Sequence, residues 1–392
     1  MENRFIDSVT ALAEVCRQFA VDAFVAVDTE FVRERTYYPA LALIQLANAE
    51  RVVCIDPLAI DDLSPLQALF ADESVVKVFH AASQDMEIFY HRFGELPWPV
   101  FDTQIAAAVL GAGEQVGYAA LVKQVLDIEL DKSHSRTDWL QRPLDARQIR
   151  YAEDDVRYLA RLYPRQREML VAQGRLDWLA PDFAALCDSG RYAPDPAVAW
   201  KRIKSVNRLR GVQVAVLQSL AAWREQAAMR QDVPRRRVVS DELLLDMARL
   251  RPKSMSSIGK LRGISNGWVH RYGETVMALI GEAERLPKER WPVLPSFKRL
   301  TPEQEALTDA LMSIVKLCAA EYQLSAASLA GRKELERLVR GERDLPVLQG
   351  WRRGHGGERL LRFLEGEWSL RVLREALVMA PVGGAVTTNP DF

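Results

Sequence analysis

Over the first 170 residues short apolar strands alternate with helical patterns, and from residue 200 onward the strand pattern is gone. This switch constrains the fold more than any other feature: it predicts an α/β domain followed by all-α units. Strands are expected at 24–28 (FVAVD), 41–47 (LALIQLA), 51–55 (RVVCI), 75–79 (VVKVF) and 100–102 (VFD). Helices are expected at 63–70, 84–93, 103–110, 118–126 and 145–170, the last with Ile149, Ala152, Val156, Leu159 and Leu162 near helical period. Three strand candidates precede the first long helix, so the sheet should be mixed, antiparallel at first and then built from βα units.

A length of 392 residues suits two or three domains. Residues 181–196 contain three prolines and lose periodicity, and a second proline-rich stretch follows at 286–296. The expected organisation is an α/β domain at 1–180, a linker at 181–204, a helical domain at 205–285, a linker at 286–299, a second helical domain at 300–378 and a disordered tail at 379–392. The two helical segments read as a diverged repeat. IGKLRGI (258–264) parallels LPVLQGW (345–351), each followed by a Gly-Glu pair and an apolar helix ending in LIGEA or LEGEW. The shared glycine fits a helix C-cap.

Cys16, Cys54, Cys187 and Cys318 are scattered with no CxxC, which argues against a zinc site or a disulfide framework and suits a reducing cytoplasm. No apolar run reaches membrane-spanning length, and the N-terminus MENRFIDSVT has no signal-peptide pattern. The charge balance hides an asymmetry. Residues 200–290 carry 19 Lys and Arg against 9 Asp and Glu, while the whole chain has 52 against 53. A basic segment of that size suits a polyanion such as nucleic acid, and equally an ordinary helical domain with a cationic surface.

FVAVDTEF (24–31) ends a strand with two acids, Asp28 and Glu30. A buried carboxylate is costly unless paired or metal-bound, and an isolated DxE is more often a turn cap beside a solvated glutamate. Company is found downstream. FHAASQDMEIF (79–89) places Asp85 in the first turn of a helix, and YAEDDVRYL (151–159) places Tyr151 and Asp155 on one helix face, with Asp154 turned to solvent. Each has a bland alternative: Asp85 as a helix-dipole acid, Asp155 paired with Arg157 or Arg161, Tyr151 as a core aromatic. If the acids converge, two carboxylates ~5 Å apart repel by roughly 3 kcal/mol at an effective dielectric near 20. Such a cluster raises its pKa values or collects cations, and all-oxygen ligands select hard ions, Mg²⁺ or Mn²⁺. Clustered acids, Mg²⁺ and a nucleic-acid partner point to two-metal phosphoryl chemistry. Tyr151, a weak acid, is better suited to orient a water than to act as a base.

VDTEF, HAASQD and YAEDD resemble, in order, the three motifs of the DEDD 3′→5′ exonucleases, and the YxxxD spacing matches their tyrosine subclass. His80 and Asp85 have the HxxxxD spacing of the histidine subclass, but within the second motif, so His80 is read as structural or substrate-side. FVRERTYYPALALIQLA, FDTQIAA (101–107) and DKSHSRTDWLQRPLDARQIRYAEDDVRYL (131–159) look like the bacterial ribonuclease D family, and segment 205–285 resembles an HRDC domain, with 300–378 a second diverged copy. The resemblance implies an RNase H-like mixed-sheet exonuclease domain followed by two small HRDC-like helical domains. It implies two divalent ions, Mg²⁺ or Mn²⁺, held by Asp28, Glu30, Asp85 and Asp155, with Tyr151 positioning the nucleophile. It further implies trimming of RNA, tRNA precursors included, from the 3′ end with release of nucleoside 5′-monophosphates. Lys132, Arg235, Arg236 and Arg237 are candidate RNA contacts, although a three-arginine run also suits a solvated loop. No role follows for Asp102 or Asp138. No membrane and no obligate protein partner are expected. The rival readings are a DNA-directed 3′→5′ exonuclease and a non-catalytic nucleic-acid-binding protein. The lack of a GxxxxGK[ST] loop, which SIGKLRG does not supply, argues against a helicase.

Overall fold

A computed structural model describes residues 2–113, 115–130, 137–294 and 299–383. The chain opens with β1 (Glu2–Ile6) and α1 (Val9–Phe19), then forms an antiparallel meander of β2 (Phe24–Val32), β3 (Ala40–Ala47) and β4 (Arg51–Ile55). Two βα units follow: α2 (Ser64–Ala71) leads into β5 (Val76–Phe79), and α3 (Ser83–Phe93) into β6 (Val100–Asp102). The six strands lie in the order β1-β4-β3-β2-β5-β6. β1 is parallel to β4, and β5 and β6 run parallel to β2, so the sheet is mixed as expected. β1 and α1 complete it at an edge that the sequence reading left blank.

α4 (Thr103–Val109), α5 (Tyr118–Leu126) and the 27-residue α6 (Ala146–Ala172) finish the layer, with α6 packed across β2, β3 and β4. α6 starts where Asp145 and Gln148 form a capping box. The segment before it is pinned by Arg142, which reaches Asp56 at 2.6 Å and the Ala42 carbonyl at 2.6 Å.

The proline-rich stretch 181–204 is not a free linker. α7 (Ala180–Leu186) and Tyr192 join the core of the α/β domain, whereas Ala199, Trp200 and Ile203 belong to the next core. That next unit comprises α8 (Val212–Gln231), α9 (Arg235–Val238), α10 (Asp241–Leu250), α11 (Met255–Gly259) and α12 (Asn266–Arg285).

The second helical unit repeats this order. α13 (Pro302–Glu321) matches α8 in length, α14 (Ala326–Leu329) matches α9, and α15 (Arg332–Val339) follows as α10 does. Left-handed residues recur at the same joints: Asp232 and Gln323 after the first helix, Arg251 and Gly341 after the third, Gly263 and Gly350 before the last. α16 (Gly350–Arg352) passes through a π turn into α17 (Glu358–Leu364).

The described residues that follow, through 383, are not helical, and the rest of the expected disordered tail lies outside the described residues. β7 (Trp368–Leu373) and β8 (Ala376–Pro381) form a hairpin around Arg374 and Glu375, both with positive φ. This corrects the helical reading through 378 and the disordered reading of 379–381. A two-residue turn with both φ positive is the geometry that suits a tight hairpin.

The two helical units meet the α/β domain differently. The second shares its apolar core: Leu311, Ile314 and Val315 cluster with the sheet-facing residues. Trp178 stacks on Trp351 with ring centroids 4.6 Å apart. The two backbones also come close at Gly111, where a Cβ would lie 2.6 Å from the Gln323 carbonyl. The first unit keeps its own core and is joined through a polar clasp at Tyr37.

Candidate active site

β2 carries Asp28 and Glu30 on one face, and a bulge between Glu30 and Phe31 breaks the ladder just beyond them. α3 brings Asp85 up in its first turn, and α6 supplies Tyr151 and Asp155 one turn apart. A cavity of about 530 Å³ opens at the junction, lined by Asp28, Glu30, Tyr151 and Asp155 together with His80, Tyr118 and Leu159. No lysine or arginine is among the described residues that line it.

Asp85 does not line the cavity. It is 7 % exposed, and Thr29, which does line the cavity, donates its hydroxyl to Asp85 Oδ1 at 2.5 Å. Tyr151 shares a side-chain hydrogen bond with Asp155. Among the described residues no three ligating side chains already converge on one point. The acids nevertheless feel one another strongly. Burial first, then Asp28, Asp155 and Asp85, push the Glu30 carboxyl up to about 9. Burial and the Asp28 charge raise Asp85 well above the carboxylate range and raise Asp155 as well. Burial raises Asp28. All four shifts run in the direction that a cation would relieve, and the donors are all oxygen. The donor set therefore fits hard divalent ions.

The alternatives for Asp155 are filled by other groups: Arg157 pairs with Glu153 and Asp154, each at 3.2 Å, and Arg161 lies over the Tyr158 ring. His80 faces the cavity with Nδ1 in a hydrogen bond to the Thr103 hydroxyl at 2.9 Å; burial lowers its pKa, so it is neutral at pH 7. Tyr118 donates to the carbonyls of Asp155 and Asp154 and so fixes α6 against α5.

Asp102 has a clear local task. Its carboxylate accepts from the N–H groups of Ala81 (3.1 Å), Ala82 (2.9 Å) and Gln104 (2.8 Å). It thus caps α4 and braces the left-handed turn at Ala81 that launches α3 and Asp85. Strand-end Asp followed by Thr-Gln is an N-cap signal that could have revealed the first half of this role. Asp138 accepts from the Leu140 N–H in the exposed turn before α6.

The candidate RNA-binding residues divide. Arg235 is committed to the clasp: it pairs with Glu225 through two nitrogens, each at 2.5 Å, and lies over the Tyr37 ring at 4.8 Å. Tyr37 donates to Glu225 at 2.5 Å, and Asp232 accepts from the N–H groups of Tyr37 and Tyr38. Arg236 and Arg237 are exposed and form no ion pair among the described residues. Lys132 lies outside the described residues.

This sheet, with acids from β2, α3 and α6 beside one cavity, is the architecture of a 3′→5′ exonuclease. The sequence model of the 3′-5′ exonuclease family matches residues 3–170, and that of the HRDC domain matches residues 213–280. Ribonuclease D of Gluconacetobacter diazotrophicus is 40% identical over 94% of this chain and 94% of its own length. That of Pseudomonas paraeruginosa is 40% identical over 93% of this chain and 98% of its own. The crystal structure of Escherichia coli RNase D, an exoribonuclease involved in structured RNA processing, superposes with a TM-score of 0.82 at 37% identity, covering 93% of this chain and 99% of that one. The chain belongs to the ribonuclease D family and is a 3′→5′ exoribonuclease. Its family depends on divalent metal ions, and its substrate is RNA. No helix among the described residues is long and apolar enough to cross a membrane.

Proposed function

We propose that the chain releases nucleoside 5′-monophosphates one at a time from the 3′ end of RNA, with Asp28, Glu30, Asp85 and Asp155 as ligands for two divalent ions and Tyr151 as the group that orients the attacking water. The observation that carries this reading is one cavity that gathers Asp28, Glu30, Tyr151 and Asp155 with no lysine or arginine among its described lining residues. A pair of Mg²⁺ or Mn²⁺ ions bound there would acidify the water and neutralise charge on the departing oxygen.

The chain's own residues do the rest. Water oxygen bonds to the scissile phosphorus, the bond to the 3′-oxygen of the shortened RNA breaks, and a proton ends on that oxygen. The Tyr151 phenol is pushed above its ordinary range by burial and by Asp155, so it stays protonated at neutral pH and acts as a hydrogen-bonding guide rather than a base. Asp155 accepts from that phenol and fixes its direction. Thr29 holds Asp85 by its hydroxyl. Tyr118, Ala119, Ala120 and Leu159 give the cavity an apolar wall suited to a nucleoside, and neutral His80 adds a hydrogen-bonding edge.

Precursor tRNAs and other structured RNAs with a free 3′ end are the proposed substrates. Support comes from the E. coli relative's involvement in structured RNA processing and from the basic helical segment. Time-resolved digestion of matched 3′-labelled and 5′-labelled RNA and DNA oligomers tests the reading. Labelled mononucleotide should appear at once from the 3′ label, while the 5′-labelled RNA shortens in a ladder. Internal cleavage of an RNA with a blocked 3′ end would overturn it.

A further inference from the structure

A second cavity, of about 360 Å³, adjoins the first and shares Leu130, Tyr151 and Asp155 with it. Its remaining lining is Ala146, Arg147, Arg150 and Asp154. Arg147, Arg150, Tyr151, Asp154 and Asp155 fall at spacings of three and four, which place them on one stripe of α6. The helix that carries the catalytic tyrosine and an acid thus presents two guanidinium groups to the second cavity, Arg147 one turn before Tyr151 and Arg150 one turn before Asp154.

Both arginines are exposed, and neither side chain forms an ion pair or hydrogen bond among the described residues. Of the carboxylates near them, Asp154 and Glu153 are both engaged by Arg157 at 3.2 Å, while Asp155 lines the same cavity. The two cavities thus meet at Leu130, Tyr151 and Asp155, and differ in what else lines them: two guanidinium groups in the second, and Tyr118, Ala119 and Leu159 in the first.

The two lobes match the two sides of a scissile bond at an RNA 3′ end. The terminal nucleoside carries no phosphate beyond the one under attack, and suits the lobe whose described lining residues include no arginine. The strand on the 5′ side carries a phosphate at every step, and suits the lobe that has Arg147 and Arg150.

Resting on the exonuclease reading above, we propose that Arg147 and Arg150 bind the phosphodiester groups immediately 5′ of the scissile one, and so set the preference for chains longer than a dinucleotide. Guanidinium groups suit this task because they grip phosphate oxygens through parallel N–H donors.

The test compares wild type, the Arg147→Ala/Arg150→Ala double variant and the Arg147→Lys/Arg150→Lys double variant in the full chain with Mg²⁺. Substrates are an RNA of about ten nucleotides and an RNA dinucleotide with no 5′ phosphate. The alanine variant should lose about tenfold more kcat/KM on the longer RNA than on the dinucleotide, mainly through KM. Its dependence of log kcat/KM on log salt should become shallower by about 0.7 for each lost phosphate contact. The lysine variant should recover most of the loss. Equal losses on both substrates, or an unchanged salt slope, would overturn the proposal. Failure of wild type to shorten the longer RNA from its 3′ end would instead overturn the exonuclease reading itself.

Discussion

The Thr29 hydroxyl donates to Asp85 Oδ1 at 2.5 Å, tying the strand that carries Asp28 and Glu30 to the helix that carries the third acid. Both residues are buried, at 6 % and 7 % exposure. Thr29→Val keeps the shape and removes the donor, leaving a buried carboxyl without its partner. Urea unfolding in EDTA should show a loss of about 1–3 kcal/mol, with Thr29→Ser much closer to wild type. A Thr29→Val protein as stable as wild type would mean the bond contributes nothing.

Glu30 links the acid cluster to pH. Its ordinary value is near 4.5, and burial with three neighbouring acids pushes it to about 9 in the folded chain. The folded state therefore holds this proton more tightly than the unfolded state does. That contribution to stability is fully present below about pH 4.5 and is lost as pH rises toward 9. Without divalent ions, melting temperature should fall across this window for reasons that Glu30→Gln removes. The variant should melt above wild type at about pH 8.5 in EDTA, and Mg²⁺ should narrow or reverse the gap. Parallel melting curves for the two proteins from about pH 5 to pH 9 would contradict this.

Tyr151→Phe removes only a hydroxyl from the cavity wall. On the proposed role of that phenol as the guide of the water, kcat should drop about 10²-fold, while the Mg²⁺ concentration giving half-maximal rate changes little. A large rise in that concentration with kcat preserved would assign Tyr151 to metal retention instead.

The clasp gives neighbouring arginines opposite signatures. Glu225 has 3% side-chain exposure and Arg235 43%. Arg235→Ala leaves the carboxylate without its bidentate partner, and stability should fall by on the order of 1–3 kcal/mol after allowance for the solvent-screened guanidinium. Arg236→Ala should leave stability within about 0.5 kcal/mol of wild type. Equal destabilisation by both would mean the clasp is not the reason Arg235 matters.

Most of the sheet was legible because its central strands are apolar runs bounded by polar turns, and Asp28, Glu30, Tyr151 and Asp155 could be placed from strand-end position and helical spacing. What escaped reading has identifiable causes. β1 has only Phe5 and Ile6 as consecutive apolar residues and sits at a sheet edge. The final hairpin turns on Arg374–Glu375 rather than the Asn-Gly or Asp-Gly that would announce it, so its leucines and valines passed for a helix. Asp85 could be assigned to a first helical turn, but its direction depends on Thr29, 56 residues earlier. Arg235 looked like part of a solvated basic run because its second partner, Tyr37, is 198 residues away. Contacts set by tertiary closure leave no local pattern.

Diffraction from crystals soaked in Mn²⁺, recorded for its anomalous signal, would locate the ions themselves. Two peaks flanked by Asp28, Glu30, Asp85 and Asp155 are expected, with at least one lost in Asp155→Asn crystals. No peak among these four carboxylates, or peaks only elsewhere on the chain, would contradict a cation-holding acid cluster as the catalytic centre.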